Sequence, residues 1–333
     1  MHLALIVDPL AKLKPAKDSS IAMLRAAVAR GHQITALDAG SLALVNGQVS
    51  AVARALTLLP RGAASWYSED AAQRLPLRTF DAVVMRQDPP FDLEYLYSTH
   101  LLELAEQQGV AVFNRPRSLR EHNEKLAAVR FAQFTPRTVV ARDQAVLRAF
   151  IAEQQDVILK PLDGMGGSSI FRVHPGDPNL SVILETITRL GTETVMAQAY
   201  LPAIVDGDKR VLVVDGEPAP FALARIPAAG ETRGNLAAGG RGVAQPLSER
   251  DREIASTVGA YARQAGLLLV GLDIIGDHLT EVNVTSPTCM VEIFDQTGFD
   301  VANVMVEAIE RQIADPLRPG ALAAVHQGDQ PAG

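Results

Sequence analysis

The chain has 333 residues, of which 47% are hydrophobic and 21% are charged, and its formal net charge is −7. This length favours roughly two or three domains, and the composition is typical of a soluble globular protein rather than a disordered or membrane-embedded one. Acidic and basic residues are mixed without a basic block, which disfavours nucleic-acid binding. A single cysteine, Cys289, excludes an internal disulfide framework, and the scattered histidines disfavour a zinc site.

The two ends of the chain carry no targeting or spanning signal. The first apolar run, LALIV, stops at Asp8 and Pro9 and lacks the basic start and cleavage site of a signal peptide, so we expect a cytoplasmic protein. No apolar run reaches membrane-spanning length. The segment 316–333 is rich in Pro, Ala and Gly without periodicity and is predicted to be a disordered tail.

Strand and helix patterns alternate in the first third of the chain. LALIVDP and HQITALD are predicted strands, and the helix IAMLRAAVARG between them is predicted to be capped by Asp18, Ser19 and Ser20. Asn46-Gly47 is a strong hairpin signal. DAVVMR, EYLYSTHLLELAEQQG and VAVFN read as strand, helix and strand. The pattern predicts an α/β domain with a parallel sheet over residues 1–122.

After residue 122 the predicted strands are joined mainly by hairpin signals, which is typical of an α+β arrangement. The strands are TPRTVVA, DVILK, SSIFRV, TVMAQAY, RVLVVDGEPAPFALARI and LLLVGLDIIGDHLTEVNV. Helices are predicted at 143–154, 179–190 and 248–265. We divide this part into a lid subdomain, 123–200, and a catalytic subdomain, 201–315.

The stretch DVILKPLDGMGGSSIFRV joins a lysine to a cluster of glycines and suggests a phosphate site. A P-loop and a dinucleotide fingerprint both need a helix after the glycines, whereas SSIFRV alternates like a strand and Lys160 precedes the glycines. The remaining interpretation is a hairpin lid in which Gly164, Gly166 and Gly167 let backbone amides close over phosphates. An ordinary long hairpin loop explains the glycines but not the lysine.

The stretch VGLDIIGDHLTEVNVTSPT predicts a hairpin that carries carboxylates. Glu281 and Asn283 share one strand face. If residues 276–278 form a three-residue turn, Asp273 lies opposite Glu281, whereas a two-residue turn puts these carboxylates on opposite faces. In the first case the three side chains, with Gly271 leaving space beside them, suit Mg²⁺. The alternative is a solvated acidic face, which the surrounding apolar runs disfavour because buried unpaired charge is costly.

Several arginines are candidates for binding anions. Arg86 ends DAVVMR, and Arg210 and Arg225 lie in the two strands of RVLVVDGEPAPFALAR, so both can reach one face of that hairpin. Arginine suits bidentate contact with carboxylates or phosphates. Taken singly, each is better explained as a surface ion pair of little energetic value.

The segment 228–241 is rich in glycine and poor in large apolar side chains. It is either a disordered connector or an active-site lid that orders on ligand binding, and Arg233 at its centre favours the lid. Lys125, in the predicted helix HNEKLAAVRFA, is solvent-facing on pattern alone.

These motifs, in this order, resemble those of the ATP-grasp ligases. MRQDPPFD, NEKL, KPLDGMGGSSIFRV, AQAYLPAI, DGDKRVLVVDGEP, ARIPAAGETRGNLAAGGRG and LDIIGDHLTEVNVTSPT are similar to motifs of bacterial glutathione synthetases, and the resemblance runs to about residue 312. It implies an ATP-grasp fold preceded by a Rossmann-like parallel-sheet domain. It also implies an ATP-dependent ligase that joins γ-L-glutamyl-L-cysteine to glycine through an acyl phosphate, giving glutathione, ADP and phosphate.

The resemblance implies a role for each candidate residue, and it suggests a homotetramer. For ATP it implies phosphate contacts from Lys125, Lys160 and the loop glycines Gly164, Gly166 and Gly167, an adenine hinge formed by Gln198, Ala199, Tyr200 and Leu201, and ribose binding by Asp208. The implied ligands of Mg²⁺, or of Mn²⁺, are Asp273, Glu281 and Asn283. Arg210, Arg225 and Arg233 would act on the transferring phosphoryl group, and the peptide and glycine pockets would contain Arg86, Arg233, Asp18, Ser19 and Ser286.

The chain departs from the family pattern at two places. Cys289, Met290 and Val291 stand where glycine, isoleucine and arginine are common, and Ala199 is often a larger polar residue. Cys289 is predicted to be a packed side chain rather than a nucleophile. Two rival functions are another ATP-grasp carboxylate–amine ligase and a regulator that binds ATP without turnover.

Overall fold

The computed structural model describes residues 1–60, 63–164, 166–228, 234, 236 and 239–315. Arg233, most of the predicted lid around it and the predicted tail 316–333 therefore lie outside the described residues. In the described ranges, no helix is long and apolar enough to cross a membrane.

The first sheet combines parallel and antiparallel strands. Its strands are His2–Val7 (β1), Gln33–Asp38 (β2), Ala43–Val45 (β3), Gln48–Leu58 (β4), Tyr67–Glu69 (β5), Gln73–Pro76 (β6), Ala82–Met85 (β7) and Ala111–Phe113 (β8). They lie in the order β3-β4-β2-β1-β7-β8, and β5 and β6 also pair with β4. Strands β2, β1, β7 and β8 are parallel, as predicted. Strands β3, β5 and β6 pair antiparallel with β4, and β4 pairs antiparallel with β2, so the predicted parallel pairing covers only half of the strands, and the predicted hairpin at Asn46-Gly47 joins β3 to β4.

Three helices accompany the first sheet: Ser19–Ala29 (α1), Leu93–Gln107 (α2) and Pro116–Glu121 (α3). Asp18 caps α1, because its side chain accepts hydrogen bonds from the backbone N–H groups of Ser20 at 2.8 Å and Ile21 at 3.0 Å. The predicted helix start is therefore confirmed.

The second sheet is antiparallel, and its strands are Thr138–Ala141 (β9), Val157–Pro161 (β10), Phe171–Val173 (β11) and Val195–Ala199 (β12). They lie in the order β11-β10-β12-β9. The helix Glu124–Val129 (α4) precedes the sheet, and Gln144–Gln154 (α5) and Leu180–Ile187 (α6) pack against it. Leu147, Ile151 and Leu184 are fully buried in that contact.

The third sheet, also antiparallel, has the order β15-β14-β13-β16-β17. Its strands are Asp208–Val214 (β13), Glu217–Ile226 (β14), Arg241–Pro246 (β15), Leu269–Ile275 (β16) and His278–Asn283 (β17), and its helices are Glu249–Gln264 (α7), Met290–Thr297 (α8) and Val301–Ala314 (α9). Arg30, directly after α1, pairs with Glu307 and Glu310 of α9 at 2.9 and 2.6 Å, which ties the first sheet's layer to the third.

Candidate active site

A cavity of about 690 Å³ opens where the three sheets approach one another. This volume is typical of a site for a small ligand. Its lining includes most of the residues predicted from the sequence: Asp18, Lys125, Lys160, Gly164, Gly166, Gly167, Gln198, Ala199, Tyr200, Leu201, Asp208, Arg210, Arg225, Asp273, Glu281, Asn283 and Ser286.

The hairpin of β16 and β17 turns more tightly than the sequence suggested. Ile275 pairs with His278 across a turn of two residues, so the three-residue turn was wrong. Taken alone, such a turn puts Asp273 and Glu281 on opposite faces of the hairpin.

A β-bulge reverses that outcome. The register shifts between Asp273 and Ile274, and Thr280 is the extra residue on β17. Asp273 consequently pairs with Glu281, and Asn283 pairs with Gly271. The predicted opposition of the two carboxylates is therefore confirmed, although by a different local geometry.

The charged side chains form a row across four neighbouring strands. In the register of the third sheet, Asp208 pairs with Arg225, Arg210 pairs with Asp273, and Asp273 pairs with Glu281. Residues directly opposite one another share a sheet face, so the row faces the cavity as one surface.

Asp273 is the centre of this row. Arg210 donates from Nε to Oδ1 at 2.6 Å and from Nη2 to Oδ2 at 3.3 Å, and Arg225 Nη2 lies 2.9 Å from Oδ2. Arg225 also donates to Asp208 Oδ2. The side chains of Arg210, Arg225 and Asp273 are almost completely withdrawn from solvent and that of Asp208 is 14% exposed, so each charge depends on its neighbours for compensation.

The two carboxylates respond differently to burial. Burial favours the neutral form of Asp273, but Arg210 and Arg225 outweigh it and hold the pKa of this carboxyl well below its usual range. Burial raises the pKa of Asp208 to about 6 despite the charge of Arg225. Asp208 Oδ1 is buried and has no hydrogen-bond partner among the described residues.

Two lysines reach the cavity from the second sheet and α4. Lys125 is only 4% exposed, so its solvent-facing position on pattern alone was wrong. Its Nζ donates to the carbonyl of Gly164 at 2.6 Å and lies 3.7 Å from Glu281 Oε1. Lys160 Nζ donates to the carbonyl of the bulge residue Thr280 at 3.2 Å, and burial lowers the pKa of Lys160 to about 8.

The glycine-rich stretch connects two antiparallel strands, as predicted. Val157 of β10 pairs with Val173 of β11, and the loop between the strands borders the cavity. Gly166 and Gly167 have φ of +64° and +81°, where a side chain is strained. A Cβ at Gly164 would lie 2.7 Å from Pro161 Cγ, so close approach of the chain requires glycine there.

The predicted hinge, residues 198–201, continues from β12 into the cavity wall. The N–H of Tyr200 donates to the carbonyl of Asp156 at 2.9 Å. Arg172 stacks over the Tyr200 ring at 3.6 Å and pairs with the Asp156 carboxylate at 2.9 and 2.6 Å. These contacts fasten the hinge to the second sheet.

Two predicted substrate residues lie behind the cavity wall rather than in it. Arg86 is buried and donates to Ser20 Oγ at 3.2 Å and to the carbonyl of Pro287 at 3.1 Å, and its Nη1 has no partner in the described part of the chain. Ser19 Oγ is buried and accepts from the N–H of Met290.

One further expectation changes in the structure, and the prediction of a packed Cys289 is confirmed. A Cβ at Gly271 would meet Pro287 Cβ at 2.7 Å and Arg210 Cδ at 3.1 Å, so this glycine makes room for protein atoms rather than for a ligand. Cys289 is buried at the start of α8, and burial raises the pKa of its thiol, which keeps the thiol protonated and disfavours a nucleophilic role.

Several cavity residues were not found from the sequence. Asp88 accepts from Ser286 Oγ at 2.5 Å, and Glu124 contacts the chain after β17. Lys12, Lys14 and Lys17 border the cavity from the loop before α1. Their only sequence signal is proximity to the predicted residues Arg86, Lys125 and Asp18, since contacts between distant segments leave no periodic pattern.

The residues predicted to bind metal offer oxygen atoms on one face. Asn283 Nδ2 donates to the carbonyl of Gly271 at 3.2 Å, which orients the amide and leaves its oxygen as a potential ligand. Within the described ranges, no group of three or more His, Cys, Asp or Glu side chains is placed to hold a metal ion. The predicted set contains two carboxylates and an amide, a small number of hard ligands that suits Mg²⁺ with retained waters.

Comparison with known proteins gives matches over nearly the whole chain. The model of the prokaryotic glutathione synthetase N-terminal domain matches residues 1–120, and that of the prokaryotic glutathione synthetase ATP-grasp domain matches residues 124–298. Glutathione synthetase of Nitrosomonas europaea is 58% identical over 316 residues, which cover 94% of this chain and 99% of that protein. Glutathione synthetase of Pseudomonas aeruginosa is 55% identical over 314 residues, with coverage of 94% and 99%.

Solved structures show the same fold at low identity. The ATP-grasp ligase PsnB, complexed with minimal precursor, Mg and ADP, has a TM-score of 0.59 at 21% identity and covers 94% of this chain and 98% of its own. The D-cycloserine synthetase DcsG has a TM-score of 0.65 at 16% identity, with coverage of 94% and 100%. The expected ATP-grasp fold is thereby confirmed.

Proposed function

This chain belongs to the prokaryotic glutathione synthetase family, and from that premise we propose that it joins γ-L-glutamyl-L-cysteine to glycine in its cavity while ATP is converted to ADP and phosphate. The single observation that carries the proposal is the row of paired charges on β13, β14, β16 and β17, which faces the same cavity as both lysines and the glycine loop. Such a surface suits a polyanion and a cation together.

The reaction needs an activated acid. A carboxylate does not acylate an amine until one of its oxygens becomes part of a leaving group. The cysteinyl carboxylate oxygen therefore attacks the γ-phosphorus of ATP, and ADP leaves. The glycine amine then attacks the carbonyl carbon of the acyl phosphate, phosphate leaves, and the amine loses a proton. Acyl phosphates hydrolyse readily, so exclusion of water matters.

In this proposal the nucleotide lies along the second sheet and the row of charges. The hinge residues Gln198 to Leu201 hold adenine, and Asp208 binds the ribose. The unpartnered Oδ1 of Asp208 supports this role, because a ribose hydroxyl supplies the donor that it lacks. Lys125, Lys160 and the loop glycines Gly164, Gly166 and Gly167 bind the phosphates.

Mg²⁺, or Mn²⁺ in its place, fits the donor set of Asp273, Glu281 and Asn283, and when bound it neutralises charge on the transferring phosphoryl group. Arg210 and Arg225 stabilise the same charge, and their present pairing with Asp273 keeps both guanidinium groups at the cavity wall. By resemblance we extend this role to Arg233, with the segment 228–241 as the lid that excludes water.

The acceptor and peptide pockets are assigned more coarsely. Asp18 and Ser286 line the cavity and are placed to contact substrate. Arg86 and Ser19 act from behind the wall, where they fix Ser20, Pro287 and the start of α8.

We further propose the domain limits 1–122, 123–200 and 201–315, a cytoplasmic location and a homotetramer. Each described sheet falls within one of these ranges, and the family resemblance supports the tetramer. Light scattering of the purified protein tests the tetramer, with an expected mass of four times the chain mass of 35.6 kDa.

The decisive experiment measures phosphate release from ATP with γ-glutamylcysteine, with and without glycine. We expect release that depends on glycine and accumulates glutathione in equal amount. Release driven by a different amine identifies another carboxylate–amine ligase, and nucleotide binding without release identifies a regulator. Either result overturns the proposed reaction.

A further inference from the structure

Glu124 joins α4 to the chain that follows β17. Its Oε1 accepts from the N–H of Val284 at 3.2 Å, from the N–H of Thr285 at 3.2 Å and from the hydroxyl of Thr285 at 2.7 Å. Three donors on one carboxylate oxygen specify a single position of the side chain. Glu124 borders the cavity, yet no step of the proposed reaction uses it.

The preceding residue, Asn123, makes a matching connection to the second sheet. Its Nδ2 donates to the carbonyl of Leu162 at 3.1 Å, and its Oδ1 caps α4 by accepting from the N–H groups of Lys125 and Leu126. Asn123 and Glu124 therefore attach the first turn of α4 to both walls of the cavity.

Lys125 depends on this placement. Its Nζ lies between the carbonyl of Gly164, in the glycine loop, and Glu281 Oε1, on β17. A displacement of about 1 Å removes either contact, because hydrogen-bond and ion-pair energies fall steeply over such distances. The position of α4 thus sets the distance from a phosphate-binding lysine to a metal ligand.

Apolar packing alone fixes α4 weakly. The helix has six residues, and of its apolar side chains Leu126 and Val129 are exposed whereas Ala127 and Ala128 are buried. Helices this short have little intrinsic stability. Its location is therefore determined largely by the polar contacts of residues 123 and 124.

We propose that Glu124 is a positioning residue that holds Lys125 in register with Glu281 by fastening α4 to the end of β17. The proposal rests on the phosphate and metal roles proposed above for Lys125 and Glu281. It assigns no contact between Glu124 and substrate, so the whole effect of Glu124 on turnover passes through Lys125.

The test is a double-mutant cycle with E124A, K125A and E124A/K125A, measured by glycine-dependent phosphate release and by thermal unfolding. E124A is expected to lower kcat by about 10- to 100-fold, the range found for residues that orient an active-site group, and to leave the KM for glycine unchanged. In the K125A background the same change is expected to alter kcat by less than about twofold.

Two further variants sharpen the result. E124Q keeps an acceptor oxygen for Val284 and Thr285 and is expected to recover most of the lost kcat. E121A makes the same carboxylate-to-alanine change at the last residue of α3, where the exposed Glu121 side chain pairs with Arg117 at 2.7 Å, and is expected to behave as wild type. If E124A does not fold, T285V, which removes the hydroxyl donor to Glu124 Oε1, and T285V/K125A complete the cycle.

Additive losses overturn the proposal, because they show that Glu124 acts on the reaction independently of Lys125. E124Q as inactive as E124A also overturns it, as does a lowered unfolding temperature with unchanged kcat. Wild-type protein without glycine-dependent release contradicts the proposed function instead, so the two failures are distinguishable.

Discussion

Asp273 lies directly opposite Glu281 on β16 and β17, yet the two carboxylates have different surroundings. Asp273 is held by two buried arginines, whereas the Glu281 side chain is 21% exposed and lies 3.7 Å from the Lys125 ammonium. The two residues are therefore expected to differ in what they contribute to stability, although both are proposed to bind the same metal.

Substitution separates these contributions. E281Q is expected to lower kcat by about 100-fold or more, because it removes a charge that acts on the transferring phosphoryl group, and to change the free energy of unfolding by less than about 1 kcal/mol. D273N is expected to abolish turnover and also to destabilise the fold by about 3–5 kcal/mol, because it leaves Arg210 buried without a counter-charge and leaves Arg225 paired with Asp208 alone. Urea denaturation and phosphate release measure both quantities, and equal stability of the two variants would contradict the assigned pairing.

Lys160 is expected to limit kcat/KM for ATP at alkaline pH. Burial lowers its pKa to about 8, so the free enzyme holds the protonated, phosphate-binding form below that pH and loses it above. We expect kcat/KM for ATP to be level below pH 8 and to fall above it, since this parameter reports the free enzyme. K160R, which keeps its charge, is expected to remove the alkaline fall. An unchanged fall in K160R would assign it to another group.

Arg172 is expected to affect nucleotide binding without taking part in the chemistry. It stacks over Tyr200 at 3.6 Å, and a contact of this kind contributes about 1 kcal/mol. R172A should therefore raise the KM for ATP about fivefold and leave kcat unchanged. R148A, which removes an exposed arginine of α5 from the same sheet layer, is the matched control. A fall in kcat with constant KM would disprove the hinge role of this contact.

Alanine at position 259 is expected to change stability in the opposite direction from alanine at most helical positions. Replacing glycine by alanine inside a helix normally stabilises by about 1 kcal/mol. A Cβ at Gly259 of α7 would lie 2.3 Å from the carbonyl oxygen of Gly216, in the turn between β13 and β14. G259A is therefore expected to destabilise by about 1–3 kcal/mol through overpacking, whereas S256A on the exposed face of α7 should not. Thermal unfolding of G259A and S256A shows whether each substitution lowers or raises the stability of the fold.

Local signals in the sequence predicted most of the fold. Asn46-Gly47 forms the turn of the hairpin of β3 and β4, and Asp18 begins α1, because both effects depend on residues close in the chain. The strands β5, β6 and β15 were missed. They are partly or wholly exposed and lack clean alternation of apolar residues, and each forms by pairing with a longer strand that supplies the hydrogen bonds.

The candidate site was predictable in its residue types but not in all of its geometry. Asp273 and Glu281 stood out because charges within apolar strands are unusual. Arg210 and Arg225, taken singly, were better explained as surface ion pairs, which their burial shows to be wrong. The role of Lys125 followed only from family resemblance and its burial was not predicted, since its contacts with Gly164 and Glu281 join segments far apart in sequence. The position of Arg86 behind the wall depends in the same way on Pro287, which the pattern around residue 86 does not contain.

The bulge at Thr280 sets the spacing of this hairpin. In a regular two-residue hairpin Asp273 would lie opposite position 280, so the one extra residue is what brings Glu281 opposite Asp273. Deleting Thr280 would remove the bulge and leave Glu281 opposite Asp273, whereas inserting one residue between Thr280 and Glu281 would turn Glu281 and Asn283 to the other face of the strand, away from the cavity. The insertion is therefore expected to abolish turnover, and the deletion to preserve the pair of carboxylates.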